Sequence, residues 1–313
     1  MLSALLASAA LVAFPKEGQS FPYLERVYMI GATAKGDTNV VVRGENVPVY
    51  RTGAWATVVE VTEGTNDVSV VTQRGEATNV CFRVAAKPAP GPQAPEKVWT
   101  KLEYAGDVPQ DPPTNKAPAE ITVTIDAGHG GDDKGATSPH GFFEKDANLA
   151  LARLVKRELV ARGYRVVMTR EDDSFPALYD RPKVAHASRA DAFISIHHNA
   201  PGYDADPREK RYHAVYSWNP IGEKLARAVN AKMAAALGDT LESKGCLHAN
   251  FAVTRNPQIP SCLVEADFIT SPAGEEASWS GPRRVLVAKA IADGFAAWCR
   301  GEEFDLDTKE DEQ

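Results

Sequence analysis

From Glu120 onward the chain alternates short β-branched runs with longer amphipathic stretches, and this alternation narrows the available folds more than any other feature. EITVTID reads as a buried strand. EKDANLALARLVKRELVARG follows, with Ala147, Leu151, Leu154, Val155 and Leu159 on one stripe and Gly163 as a stop signal, the pattern of an amphipathic helix. YRVVMT is the next strand, PALYDRPKVAHASRA a helix, DAFISIH a third strand and YHAVYSW a fourth. IGEKLARAVNAKMAAAL, PSCLVEADFI and GPRRVLVAKAIADGFAAWC continue as helix, strand and helix. Such a succession predicts an α/β layer fold over residues 119–300, a mainly parallel twisted sheet flanked by helices.

Upstream the texture differs. Residues 26–86 are short β-branched intervals broken at Gly44-Glu45-Asn46, Thr52-Gly53, Gly64-Thr65-Asn66 and Arg74-Gly75, which predicts a small all-β sandwich-like accessory domain. It resembles the immunoglobulin-like modules of bacterial envelope enzymes. Residues 87–118 cluster prolines into a stiff extended linker, within which VWTKLEY could add a short strand to a neighbour. Residues 301–313 form an acidic tail with the composition of a disordered segment. Residues 1–20 contain the apolar run Leu2 to Phe14, which reads as the core of a signal peptide or, failing that, as an apolar first helix. A signal of this kind places the protein in the periplasm or outside the cell.

Of the 313 residues, 43% are hydrophobic and 25% charged, enough to bury a sizeable core. The formal net charge of −7 argues against nucleic acid as a partner, because phosphate binding needs basic patches. No apolar run reaches the roughly 18 residues of a membrane span. Cys81, Cys246, Cys262 and Cys299 have no paired short spacing, so they are expected as buried thiols rather than zinc ligands.

Three side chains fall near the ends of predicted strands or the start of a helix. His129 sits between glycines in TIDAGHGGDDKGA, Glu144 opens the first helix in HGFFEKDANLA, and His197 ends the strand FISIHHNA. Parallel α/β sheets gather their strand C-termini on one edge, where ligands bind. Two imidazoles and a carboxylate there match the ligand set of a catalytic zinc ion with one position left for water. A fourth residue, Glu265, is an acid inside the otherwise apolar strand PSCLVEADF, where a charge is costly unless paired or used. On a strand running with the others it reaches the same edge, placed to move a proton from metal-activated water to a leaving amine. Each residue also has an ordinary explanation: a turn for His129, a first-turn acid for Glu144, a strand cap for His197, an ion pair with Arg255 for Glu265. His140 and His248 are expected in loops, Arg170 and Arg181 as partners of nearby acids or of substrate carboxylates, and Asp126 as a loop cap or a partner orienting a ligand imidazole.

ITVTIDAGHGG, EKDANLALA, VVMTREDD, DAFISIHHNA and IPSCLVEADFIT, in this order from Ile121 to Trp298, resemble the zinc-dependent N-acetylmuramoyl-L-alanine amidases of bacterial cell walls, the family called amidase type 3. The resemblance implies one Zn2+ per catalytic domain held by His129, Glu144 and His197, with Glu265 as catalytic acid/base. It implies peptidoglycan as substrate, cut at the amide between N-acetylmuramic acid and the L-alanine of the stem peptide. The family carries a small residue where this chain has His198, so the ligand position falls on His197. Some members block the metal with a long inserted helix; the segments between strands are short here, so no activator protein is expected, and the chain is expected to be a monomer. Two alternatives remain open: another zinc peptidase or carboxypeptidase acting on wall peptides, and a non-catalytic wall-binding protein with structural zinc.

Overall fold

A computed structural model describes residues 10–89, 112–256 and 258–304. The N-terminal unit contains only strands: β1 (Leu11–Phe14), β2 (Ser20–Phe21), β3 (Arg26–Ala32), β4 (Asn39–Val42), β5 (Glu45–Pro48), β6 (Ala54–Glu60), β7 (Gly64–Thr72) and β8 (Ala77–Val84). They form a three-stranded sheet, β1-β3-β6, and a five-stranded sheet, β2-β8-β7-β4-β5. In β7, burial alternates so that Asn66, Val68, Val70 and Thr72 face inward, the period of two that a half-buried strand requires. Val27, Met29 and Trp55 of the first sheet meet Val40, Val42, Val68, Val70 and Phe82 of the second in one core.

The apolar N-terminal run departs from expectation. Leu11–Phe14 is neither helical nor separate from the fold; it pairs antiparallel with β3, Leu11 opposite Ala32 and Val12 opposite Gly31, and buries Ala10 and Ala13. A Cβ on Gly31 would lie 2.0 Å from the Leu11 carbonyl oxygen, so glycine is what admits β1 to the sheet. Among the described residues the all-β unit therefore reaches back to Ala10, ahead of Arg26. Residues 1–9, the segment VWTKLEY and the tail from residue 305 lie outside the described residues.

After a 3-10 turn at Pro118–Glu120, the second unit runs β9 (Thr122–Ala127), α1 (Glu144–Ala161), β10 (Arg165–Met168), α2 (Arg181–Ala187), β11 (Ala192–Asn199), β12 (His213–Ser217), α3 (Pro220–Leu237), β13 (Ser243–His248), β14 (Ser261–Phe268), α4 (Pro272–Trp279) and α5 (Gly281–Cys299). The strand order is β10-β9-β11-β14-β12-β13. Four of the five pairings are parallel, and only β12 against β14 is antiparallel, so the sheet is mixed but mainly parallel as predicted. Two elements were not anticipated. β13 is an edge strand with no clean burial alternation, and it was read as loop; His248 ends it rather than lying in a loop. α4 is a single short helix after Ser271.

Helices α1, α3 and α5 cover one face of the sheet over a core that includes Ile125, Leu151, Val155, Ile194, Val229, Val264, Ile291 and Phe295. Gly294 lets α5 cross α3 closely, since a Cβ there would lie 2.5 Å from the Val229 Cα. The opposite face is thinner: Phe193 and Leu263 pack against Ala185 of α2 and against Val253 and Ile259. Among the described residues no helix is long and apolar enough to cross a membrane. The cysteines are unpaired thiols; Cys262 and Cys299 are buried as expected, whereas Cys81 and Cys246 are only half-buried.

Candidate metal centre

β9 ends in Asp126 and Ala127, and the backbone then turns through a glycine-rich loop. His129 itself has φ +60°, beside Gly130 at +135° and Gly131 at +55°. A histidine in the left-handed region costs on the order of 1–2 kcal/mol, so something must hold it there. Two buried arginines do. Arg181 donates to the carbonyl of His129 (2.8 Å) and of Ala127 (2.9 Å), and Arg170 to those of Ala127 (2.8 Å) and Gly128 (2.9 Å). Each arginine is 3% exposed, so neither reaches a substrate carboxylate. Arg181 also pairs with Asp126, which accepts from Thr169 and Ser195 as well (both 2.6 Å). Asp126 thus ties the loop to the sheet and touches no ligand imidazole.

Glu144 arrives from the other end of the same loop. It is the first residue of α1, where no side chain caps the helix. Instead its N–H donates to the carbonyl of Ala136 (2.9 Å), and its Oε2 accepts from the Ala136 N–H (2.9 Å). Gly135, at φ +62°, leaves room for this; a Cβ there would lie 2.5 Å from Oε2.

His197 comes from β11, and strand alternation decides its role. Phe193, Ser195 and His197 face α2, whereas His198 turns to the other face. There His198 is buried and bonds Asn148 Oδ1 through Nδ1 (2.8 Å), and burial drives its imidazole down to about 4. Asn148 in turn donates to Glu144 Oε1 (3.1 Å). The two adjacent histidines therefore act at different depths, His197 in the site and His198 behind it.

The three predicted ligands meet. His129 Nε2 lies 3.1 Å from Glu144 Oε2, and His197 Nδ1 lies 3.0 Å from Glu144 Oε1. One ligand atom from each residue can be chosen so that all lie within 4.8 Å of one another. The imidazoles stand edge to face at 4.9 Å and 77°. Neighbouring ligand atoms in a tetrahedral shell with bonds of about 2.1 Å are about 3.4 Å apart, close to the 3.0–3.1 Å found here. Asp133 Oδ2 accepts from His129 Nδ1 (2.9 Å), which turns the Nε2 lone pair inward, as carboxylates behind metal-bound imidazoles do.

The electrostatics point the same way. Burial would depress the His129 imidazole, but Glu144 and Asp133 outweigh it and raise it to about 9. Burial would raise Glu144, but His129 and His197 hold it well below the carboxylate range. A pocket that favours positive charge this strongly, built from two nitrogens and a buried carboxylate, fits a divalent cation of the zinc type.

Glu265 lies beside this cluster. It is the in-register neighbour of His197 on β14, next to β11. Its Oε2 is buried without a hydrogen-bond partner, and Arg255 bonds the Asn250 carbonyl instead of pairing with it. Burial first, and then the negative charge of Glu144, push its carboxyl well above the usual range. A half-buried acid with one buried, unpartnered oxygen next to a metal-type cluster is a candidate for proton transfer. The other expected histidines stand apart: His140 bonds Glu275, His186 lies in α2, and His213 is buried at the start of β12.

Sequence reasoning missed Asp133 and Asn148. Both carried a signal, since each stands four residues after a predicted ligand, and in α1 that spacing puts Asn148 on the face of Glu144.

Comparison with known proteins identifies the family of the α/β unit. The family model described as N-acetylmuramoyl-L-alanine amidase matches residues 123–297, over half of the chain. The uncharacterized protein YqiI of Bacillus subtilis is 33% identical over 204 residues, covering 64% of this chain and 97% of YqiI. The N-acetylmuramoyl-L-alanine amidase LytC of the same organism is 34% identical over 179 residues, covering 57% of this chain but only 36% of LytC. Among solved structures, the N-acetylmuramoyl-L-alanine amidase AmiC2 of Nostoc punctiforme superposes with a TM-score of 0.54 at 34% identity, covering 57% of this chain and 97% of that one. The catalytic domain of CwlV, an amidase from Bacillus (Paenibacillus) polymyxa var. colistinus, gives 0.53 at 32% identity, covering 57% of this chain and 97% of that one. By fold, site geometry and sequence alike, this chain belongs to the N-acetylmuramoyl-L-alanine amidase family.

Proposed function

We propose that the protein is a zinc-dependent peptidoglycan amidase of the periplasm or cell exterior, which hydrolyses the amide between the muramic acid lactyl group and the L-alanine of the stem peptide. The observation that carries this reading is the convergence of His129, Glu144 and His197 beside Glu265, whose Oε2 is buried without a hydrogen-bond partner. His129, Glu144 and His197 would hold a zinc ion, which would supply a water acidified to a pKa of about 7 and polarise the scissile carbonyl. Asp133 fixes the tautomer of His129, and Asn148 with the Ala136 N–H fixes the carboxylate of Glu144. Glu265 takes the proton of the attacking water and returns it to the departing alanine nitrogen. Burial, and after it the nearby charge of Glu144, favours the protonated form of Glu265, the state that the second transfer needs. The side chains of His129 and His197 are 24% and 18% exposed, so the cluster opens to solvent, which supports a site that needs no activator.

Glu265→Gln keeps the shape of the side chain and removes its basicity. It is expected to bind zinc as the parent does while losing about 10²- to 10⁴-fold in hydrolysis. Mass spectrometry of products from purified peptidoglycan is expected to show stem peptides with a free N-terminal alanine. Full activity in the variant would refute the role of Glu265, and release of single C-terminal residues would make the enzyme a carboxypeptidase.

A further inference from the structure

The all-β unit lies against the rim of the metal centre and touches three of the segments that build it. The first is the hairpin of residues 137–143, which joins the glycine loop to α1. Its base is the reciprocal pairing of Ala136 with Glu144, continued by a bridge between Thr137 and Phe143. Its tip is closed by Ser138, which accepts through its hydroxyl and carbonyl from Phe142 and Gly141. The Leu11 side chain of β1 packs on Gly141, and Lys16 lies over the Phe143 ring at 5.7 Å. The second segment is α4, where Arg51 pairs with Glu276 at 2.6 Å. The third follows β11: Tyr203 stacks on Phe14 at 5.8 Å, and its carbonyl accepts from the N–H of Tyr28 at 2.7 Å.

His140 is where the hairpin meets α4. Its backbone N–H donates to Glu275 Oε1 (2.9 Å) and its Nδ1 to Glu275 Oε2 (2.7 Å), and the next residue of α4, Glu276, pairs with Arg51 of the all-β unit. Glu275 is 3% exposed, so this is a buried, charge-assisted knot rather than a surface pair. Four residues further on, through a hairpin closed at both ends, stands Glu144. We propose that the all-β unit is a built-in part of the catalytic body, and that His140 is the positioning residue through which it holds the Glu144 carboxylate in place. This goes beyond tethering or spacing. The unit completes the support of the metal centre, and loosening the knot frees the hairpin that delivers one ligand.

The test uses the full chain and four substitutions: His140→Ala, His140→Asn, whose amide can still donate to Glu275, Glu275→Gln and Arg51→Ala. Zinc affinity is read by titration against a chelator, hairpin motion by hydrogen exchange over residues 138–144, and global stability by the unfolding midpoint. His140→Ala is expected to weaken zinc about 10- to 100-fold and to speed exchange in the hairpin, with His140→Asn recovering most of both. Arg51→Ala, which breaks only an exposed pair, is expected to leave zinc affinity within about twofold. Unchanged zinc affinity and exchange in His140→Ala, even with a lower midpoint, would reduce the knot to ordinary packing. If that variant does not fold, Glu275→Gln decides: a several-fold loss of zinc affinity supports the role and parental affinity overturns it. Although the inference rests on the zinc reading above, none of the three readouts requires hydrolysis. A parent protein that binds zinc but cuts no peptidoglycan would count against the proposed function alone.

Discussion

Neighbouring residues of one strand can be chemically identical and functionally unlike, and His197 and His198 are such a pair. The pleat sends His197 into the metal cluster and His198 into the wall behind it, against Asn148. His197→Ala is expected to abolish stoichiometric zinc binding. His198→Ala is expected to keep zinc bound but to lower stability by about 1–3 kcal/mol, since Asn148 loses its buried partner. Metal content and denaturant melts of the two variants distinguish them, and the reverse pattern would exchange their roles. The four candidate residues were legible in the sequence because their chemistry clashes with their setting: a histidine among glycines, an acid within an apolar strand. The residues that brace them were harder to see. Arg170 and Arg181 look like surface charges until the fold turns them inward onto three loop carbonyls. No residue pattern announces which carbonyls a guanidinium will find.

At the scale of elements, the glycine loop is the most exacting piece. Gly128 faces the His197 ring so closely that a Cβ would lie 2.2 Å from Cε1. Gly128→Ala is therefore expected to displace the imidazole and weaken zinc by about 10- to 100-fold, with far-ultraviolet circular dichroism unchanged; parental zinc affinity would show that the ring can give way. Elements with strong periodicity matched their predicted positions, α5 over the whole of its expected span and α1 from Glu144. Those that escaped had weak patterns. β13 buries little besides Gly245, as an edge strand does. α2 keeps only the Arg181–Ala187 part of a longer expected helix, with Pro176 and exposed Phe175, Leu178 and Tyr179 left in the loop before it. β1 was misjudged because a short apolar run has the same composition in an export signal, a helix or a strand. Pairing with β3 decides which it becomes, and pairing is a long-range event.

At the scale of the molecule, a mainly parallel sheet brings residues more than a hundred positions apart onto one edge. His129, Glu144, His197 and Glu265 come together there, and the all-β unit abuts the same rim through Lys16 on Phe143, Arg51 on Glu276 and Phe14 on Tyr203. The division into an all-β and an α/β part was legible from the change of periodicity near Glu120. The contact between them was not, because it depends on single polar residues with no repeating pattern. The central claim is that this edge holds one zinc ion and uses it to cut the muramic acid to alanine amide. Its most direct test combines zinc stoichiometry of the purified full chain with mass spectrometry of what that same preparation releases from peptidoglycan. The prediction is one zinc per chain and stem peptides carrying a free alanine amine, both lost on treatment with a chelator and restored by zinc. Undiminished release of the same peptides from chelator-treated, zinc-free protein would contradict it.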